Sequence, residues 1–157
     1  MQSSKKNPVT KYKIFLDANV WFSAAMSPQG GSFLICRLAE AGLIQAFANN
    51  HVLEEAERNL LLKALKKLND YYRLIKTAAP KISTISPNPV LVKKLDGLLP
   101  AKDMPVLAGA LDAEADFLVS LDKKHILQPK LKNLDWPFQI LSTKEFFKIF
   151  RKGFKKL

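Results

Sequence analysis

Short apolar runs that end in a polar or acidic residue alternate with helix-forming stretches along this chain. That alternation admits few folds other than a mostly parallel sheet covered by helices. The first run, Lys13-Ile14-Phe15-Leu16-Asp17, is apolar without interruption until it meets an acid, the pattern of a strand buried on both faces. Ile44–Ala48 reads as a second strand, Ile82–Ile85 as a third, Phe117–Ser120 as a fourth and Phe138–Leu141 as a fifth.

Helical stretches fill the gaps. Ala18 to Phe22 turns into a helix that the loop Ser27-Pro28-Gln29-Gly30-Gly31-Ser32 interrupts. Ser32 is a candidate cap for a helix that reaches Ala41 and stops at Gly42. Asn49 or Asn50 can cap the next, which runs through Leu53, Ala56 and Leu60 toward Tyr72, with a break expected near Asn69-Asp70. Ser86-Pro87-Asn88-Pro89 is a turn before a short helix from Val90 to Leu98, which Pro100 ends. Asp103 stands just ahead of a helix with Pro105 in its first turn, where the missing N–H costs nothing. Ser142-Thr143-Lys144-Glu145 carries a capping-box pattern and opens a last helix through Phe150.

With 157 residues the chain is most simply one domain: a polar extension over 1–10, the α/β domain over 11–150 and a basic tail over 151–157. The single cysteine, Cys36, excludes an intrachain disulfide framework and suits buried packing. Met1 to Thr10 lacks the apolar core of a signal peptide, and no segment approaches a membrane-spanning apolar run. A cytoplasmic location is therefore expected, with no membrane partner. The net charge of +11 creates a positive field suited to nucleic acid or another polyanion. It is uneven: Lys123 to Leu157 holds ten Lys or Arg and two acids.

Against that field, four carboxylates stand out. Asp17 and Asp122 follow strands, Asp103 precedes a helix, and Glu55 lies on one. An open α/β sheet binds its ligands outside the carboxyl ends of its strands, where three of these acids fall. Carboxylates held together repel, so such a cluster is tolerable when a divalent cation neutralises it. Oxygen donors select Mg²⁺ or Mn²⁺, and one or two ions can activate water and steady charge on a phosphodiester. Each acid has a plainer use. Asp17 could cap the following helix, Glu55 could be solvated surface, Asp103 could be an N-cap and Asp122 could belong to a turn with Lys123. The combination carries the argument.

These segments resemble the PIN domain family, the fold of VapC-like nucleases. Ile14-Phe15-Leu16-Asp17-Ala18-Asn19-Val20 is similar to that family's first strand and first aspartate, and Val52-Leu53-Glu54-Glu55 to its helical segment, with the acid at Glu55. Lys102-Asp103-Met104-Pro105 resembles the third acidic segment. Ala115-Asp116-Phe117-Leu118-Val119-Ser120-Leu121-Asp122 resembles the fourth strand, with its hydroxyl at Ser120 and its acid at Asp122. The match spans roughly Tyr12 to Leu141. The resemblance implies a three-layer α/β sandwich with a central five-stranded, mostly parallel sheet. It also implies a Mg²⁺- or Mn²⁺-dependent endoribonuclease related to the toxin components of toxin–antitoxin systems, with RNA, a small antitoxin or a second copy of the chain as partners.

Under this reading Asp17, Asp103 and Asp122 coordinate metal, and Glu55 holds a water or completes a second site. Asn19 and Ser120 orient the carboxylates, and Lys102, Lys123 and Lys124 flank the substrate. His51 and His125 sit beside a helix cap and a basic turn, and no Cys/His spacing marks a zinc site. Trp21 and Trp136 suit packing better than base stacking. The alternative is an RNA-binding or protein-interaction module of the same fold without catalysis.

Overall fold

Five strands form one sheet in the order β3-β2-β1-β4-β5: Tyr12–Leu16 (β1), Ile44–Asn49 (β2), Lys81–Ser83 (β3), Phe117–Val119 (β4) and Gln139–Leu141 (β5). The computed structural model describes residues 11–84 and 88–155, with side chains as far as Gly153. Every neighbouring pair is parallel. Ile14, Phe15 and Leu16 are all fully buried, so both faces of the central strand are covered, as its unbroken apolar run requires.

The helices are Ala18–Met26 (α1), Gly31–Glu40 (α2), Asn50–Lys63 (α3), Leu68–Ala78 (α4), Pro89–Lys94 (α5), Met104–Asp112 (α6), Pro129–Lys132 (α7) and Thr143–Lys155 (α8). Helix α1 packs against α2, α3 and α4, while α6 lies across β1, β2 and β4. The sheet is flanked by helices as a three-layer sandwich. The chain leaves β1 for β2 on one side and returns to β4 on the other. The carboxyl ends of β1 and β4 therefore border the switch point at which such sheets open a crevice.

Several boundaries differ from those expected. Helix α2 begins at Gly31 with Gly30 at the cap, and Ser32 is buried without capping it. The break in the long helical stretch falls at Ala64, followed by a single tight turn over Leu65–Lys67, and not at Asn69-Asp70. Those two residues instead belong to the first turn of α4, where the Asp70 carboxylate suits the helix dipole and pairs with Arg73 at 3.0 Å. Strand β3 starts one residue early, at Lys81, and Ile85, Ser86 and Pro87 lie outside the described residues. Asn88 caps α5 by accepting from the Leu91 N–H at 2.7 Å, and Gly97 beyond it takes a left-handed φ of 77°. The final helix does not stop at Phe150 but continues to Lys155, through the segment read as a tail.

Candidate metal centre

Asp17 is placed by β1 and α1 together. Its backbone N–H continues the sheet by donating to the Val119 carbonyl at 3.0 Å, and its Oδ1 accepts from the Ala18 N–H at 2.7 Å. Its capping role is therefore real, and the other oxygen is left for the crevice. Oδ2 accepts from the Ser120 hydroxyl at 2.8 Å and from the Asn19 amide at 3.3 Å. Asn19 also accepts from the Leu121 N–H at 2.9 Å, and Ser120 accepts from the Asp122 N–H at 3.0 Å. One network thus ties the carboxyl end of β1 to that of β4. Burial pushes the Asp17 carboxyl up to about 6, against the bonds from Ser120 and Ala18, and the charges of Glu55 and Asp103 add to the rise.

Asp103 occupies the position before α6, yet its side chain makes no capping bond. The expected N-cap role is not what this carboxylate does. It is buried, Lys102 Nζ lies 3.4 Å from its Oδ1, and its Oδ2 has no hydrogen-bond partner. That buried oxygen keeps its lone pairs free to accept from a ligand in the crevice.

Asp122 forms the turn after β4. Its Oδ1 accepts from the N–H groups of Lys124 and His125, each at 3.1 Å. That turn carries the His125 imidazole back over the acids, with Nδ1 3.5 Å from Asp122 Oδ2 and 3.6 Å from Asp103 Oδ2. Donor atoms of Asp103, Asp122 and His125 all lie within 4.8 Å of one another, close enough to hold one metal ion. His125 thus stands beside the acids, a placement that no Cys/His spacing in the sequence suggests. The missed clue is its place three residues after an acid that ends a strand.

Glu55 sits on α3 beside the same crevice, partly exposed, with its Oε1 3.6 Å from His51 Nε2. Glu55 and Asp17 fall outside the tight group of donors, although both act electrostatically within the cluster. Asn49 connects the two helices that carry Glu55 and Asp103: fully buried, it caps α3 by accepting from Val52 N–H at 3.0 Å and donates to the Pro105 carbonyl at 3.0 Å.

Lys102 lies at the mouth with its side chain 70% exposed, and its ammonium is held above the ordinary lysine range by Asp103 first, then by Glu55 and Asp122. Lys123 and Lys124 are exposed on the Asp122 turn. The basic end of α8 is elsewhere: Gly153 packs near the Tyr12 hydroxyl, at the start of β1, about 16 Å of strand away from Asp17. Both tryptophans pack. Trp21 is fully buried and donates to the Leu16 carbonyl, and Trp136 stacks on Phe138. A groove of about 440 Å³ lies away from the acids, lined by Phe33, Cys36, Arg37, Lys67, Arg73 and Leu74 among others.

The fold and the crevice define a parallel α/β protein with a carboxylate-rich centre suited to a divalent cation. The chain belongs to the PIN domain family, whose model matches residues 13–124 and so spans all four acids. A search of curated proteins finds no match. Among the described residues no helix is long and apolar enough to cross a membrane.

Proposed function

We propose that this protein is a divalent-metal-dependent endoribonuclease that hydrolyses RNA phosphodiester bonds. The observation that carries the proposal is the convergence of Asp103, Asp122 and His125 donors within 4.8 Å, with Asp17 and Glu55 coupled to them electrostatically, in a PIN-family chain with a net charge of +11. The orphaned Asp103 oxygen and the oxygen-rich donor set fit Mg²⁺ or Mn²⁺. A bound ion supplies Lewis-acid polarisation and charge neutralisation at the phosphodiester.

Asp103, Asp122 and Asp17 would hold the cation, directly or through water. Ser120 and Asn19 keep the Asp17 carboxylate in one orientation, and the Asp122 turn does the same for its own free oxygen. Glu55, at the rim, holds the attacking water by accepting a hydrogen bond from it. The water oxygen bonds to phosphorus and gives up a proton to solvent, as the bond to the leaving ribose oxygen breaks and that oxygen takes up a proton from solvent. Lys102 binds a phosphate oxygen at the mouth, and Lys123 and Lys124 hold the adjacent backbone electrostatically. The protein acts in the cytoplasm as the toxin-like member of a pair with a small antitoxin, or as a homodimer.

Cleavage of a panel of single-stranded and structured RNAs with Mg²⁺ or Mn²⁺ tests this reading. EDTA and Asp103→Asn protein run alongside to expose contaminating ribonuclease. Cleavage that is abolished by EDTA and falls at least about a hundredfold in the variant supports the proposal. Cleavage that survives the substitution refutes the site. RNA binding without cleavage in either metal points to the non-catalytic module.

A further inference from the structure

We infer that His125 is a ligand of the metal through Nδ1, and that this nitrogen makes the centre prefer manganese to magnesium. The inference builds on the metal centre of the proposed nuclease but concerns which cation it takes and why.

The turn after β4 divides the labour of the Asp122 carboxylate. Oδ1 is occupied by two backbone N–H groups, and Oδ2 faces the crevice beside the imidazole. Nδ1 of His125 lies 3.5 Å from that oxygen and 3.6 Å from Asp103 Oδ2. Neither separation is a hydrogen bond. Asp103 Oδ2 lacks any hydrogen-bond partner although its side chain is only 10% exposed, and it points into the same gap. Three donors therefore converge on one point without bonding one another.

An octahedral ion with bonds of about 2.1 Å places adjacent donors about 3 Å apart and opposite donors about 4.2 Å apart. The two imidazole–carboxylate separations lie between those values, and the three donors lie within 4.8 Å of one another, so a small contraction brings them onto one ion. The turn contributes to this geometry: the bond from His125 N–H to Asp122 Oδ1 fixes the His125 backbone relative to the carboxylate.

Donor chemistry then decides the cation. Magnesium keeps oxygen ligands and gives up water reluctantly, whereas imidazole suits first-row transition ions. Asp17, Glu55, Asp103 and Asp122 alone supply only oxygen. The nitrogen of His125 favours a transition ion over magnesium, and Mn²⁺ is the transition ion that the surrounding carboxylate oxygens also suit.

The test measures binding. Full-length protein is titrated with Mn²⁺ by electron paramagnetic resonance and with Mg²⁺ by competition, and pulsed measurements read the hyperfine coupling of a directly bound nitrogen. The wild type should show nitrogen coupling that disappears in His125→Ala and His125→Asn, with the Mn²⁺-over-Mg²⁺ affinity ratio reduced roughly tenfold or more in both. His125 is partly exposed, so both variants should melt close to the wild type. Absence of nitrogen coupling in the wild type overturns the assignment. So does coupling that persists in the variants, which would implicate His51, or an unchanged affinity ratio. RNA cleavage without nitrogen coupling removes the ligand and leaves the nuclease; nitrogen coupling without cleavage does the reverse. A wild type that binds neither ion overturns both.

Discussion

The Ser120 hydroxyl donates to Asp17 Oδ2 at 2.8 Å across 103 residues of sequence, joining the ends of two neighbouring parallel strands at the crevice. The same oxygen of Ser120 accepts from Asp122 N–H, so a single hydroxyl positions two of the four acids.

Replacing Ser120 with alanine removes both bonds. The buried Asp17 carboxylate loses the partner that most lowers its pKa, so its pKa should rise above about 6. A cost of roughly 1–3 kcal/mol is expected for the unpaired buried oxygen. Metal affinity should fall about tenfold or more as Asp17 and Asp122 lose their orientation. Ser120→Thr retains the hydroxyl and should recover most of the affinity. Calorimetric metal titration and the carboxyl carbon shift of Asp17 against pH are the readouts. Unchanged affinity in the alanine variant would remove Ser120 from the positioning network.

Asp17 also makes the metal-free protein sensitive to pH in a definite direction. Its carboxyl ionises at about 6 in the folded chain and near 3.8 in the unfolded one, chiefly because it is buried. Between those values the folded state binds more protons. The stability of the protonated form is fully present below pH 3.8 and is lost as pH rises through about 6. In Asp17→Asn, which cannot ionise, this loss is absent. The variant should gain stability relative to the wild type between pH 4 and pH 7, by about 3 kcal/mol at most. Saturating Mn²⁺ should reverse the order, because binding stabilises the wild type more. Urea midpoints at the two pH values with and without metal check both signs. A wild type whose metal-free stability rises relative to the variant over that interval would contradict the raised pKa.

Much of this arrangement was legible in the chain. The apolar run ending in Asp17 has one sensible place, and the reciprocal bonds of Ser142 and Glu145 at 2.9 and 3.1 Å are those the capping-box spacing implies. Asp17, Asp103 and Asp122 stand at or just beyond the ends of elements that meet at the carboxyl edge of the sheet, while Glu55 lies within the second turn of α3. What was hidden depends on contacts distant in sequence. Leu60 to Leu65 contains only good helix formers, so nothing local marks the break at Ala64. The reversal is held by Tyr71, buried in α4, whose hydroxyl donates to the Leu53 carbonyl of α3 at 2.8 Å. The bond from Asn49 to Pro105 spans 56 residues and likewise leaves no local trace. His125 was hidden for another reason. Its side chain reaches the acids through a turn built by Asp122 itself, and spacing rules drawn from zinc sites do not describe such a turn.

Gly109 shows how closely the acid-bearing helix is pressed to the sheet. A Cβ built there would lie 2.4 Å from Phe15 Cζ and 2.6 Å from Asn49 Nδ2. Both neighbours are fully buried, and Asn49 is already committed to Val52 and Pro105. Neither can swing aside, so alanine at this position must push α6 away from β1. Helix propensity favours alanine over glycine by about 1 kcal/mol, but overpacking of this kind costs roughly 1–3 kcal/mol and often exceeds it. Gly109→Ala should therefore lower the melting temperature in spite of its better propensity. Displacement of α6 also moves Asp103, which stands at its start, so metal affinity should drop with stability. Phe15→Leu removes the ring atoms nearest the new methyl group. The double variant Phe15→Leu/Gly109→Ala should be more stable than the sum of the two single changes implies. Additive losses, or a higher melting temperature for Gly109→Ala alone, would show that the helix and strand have room to spare.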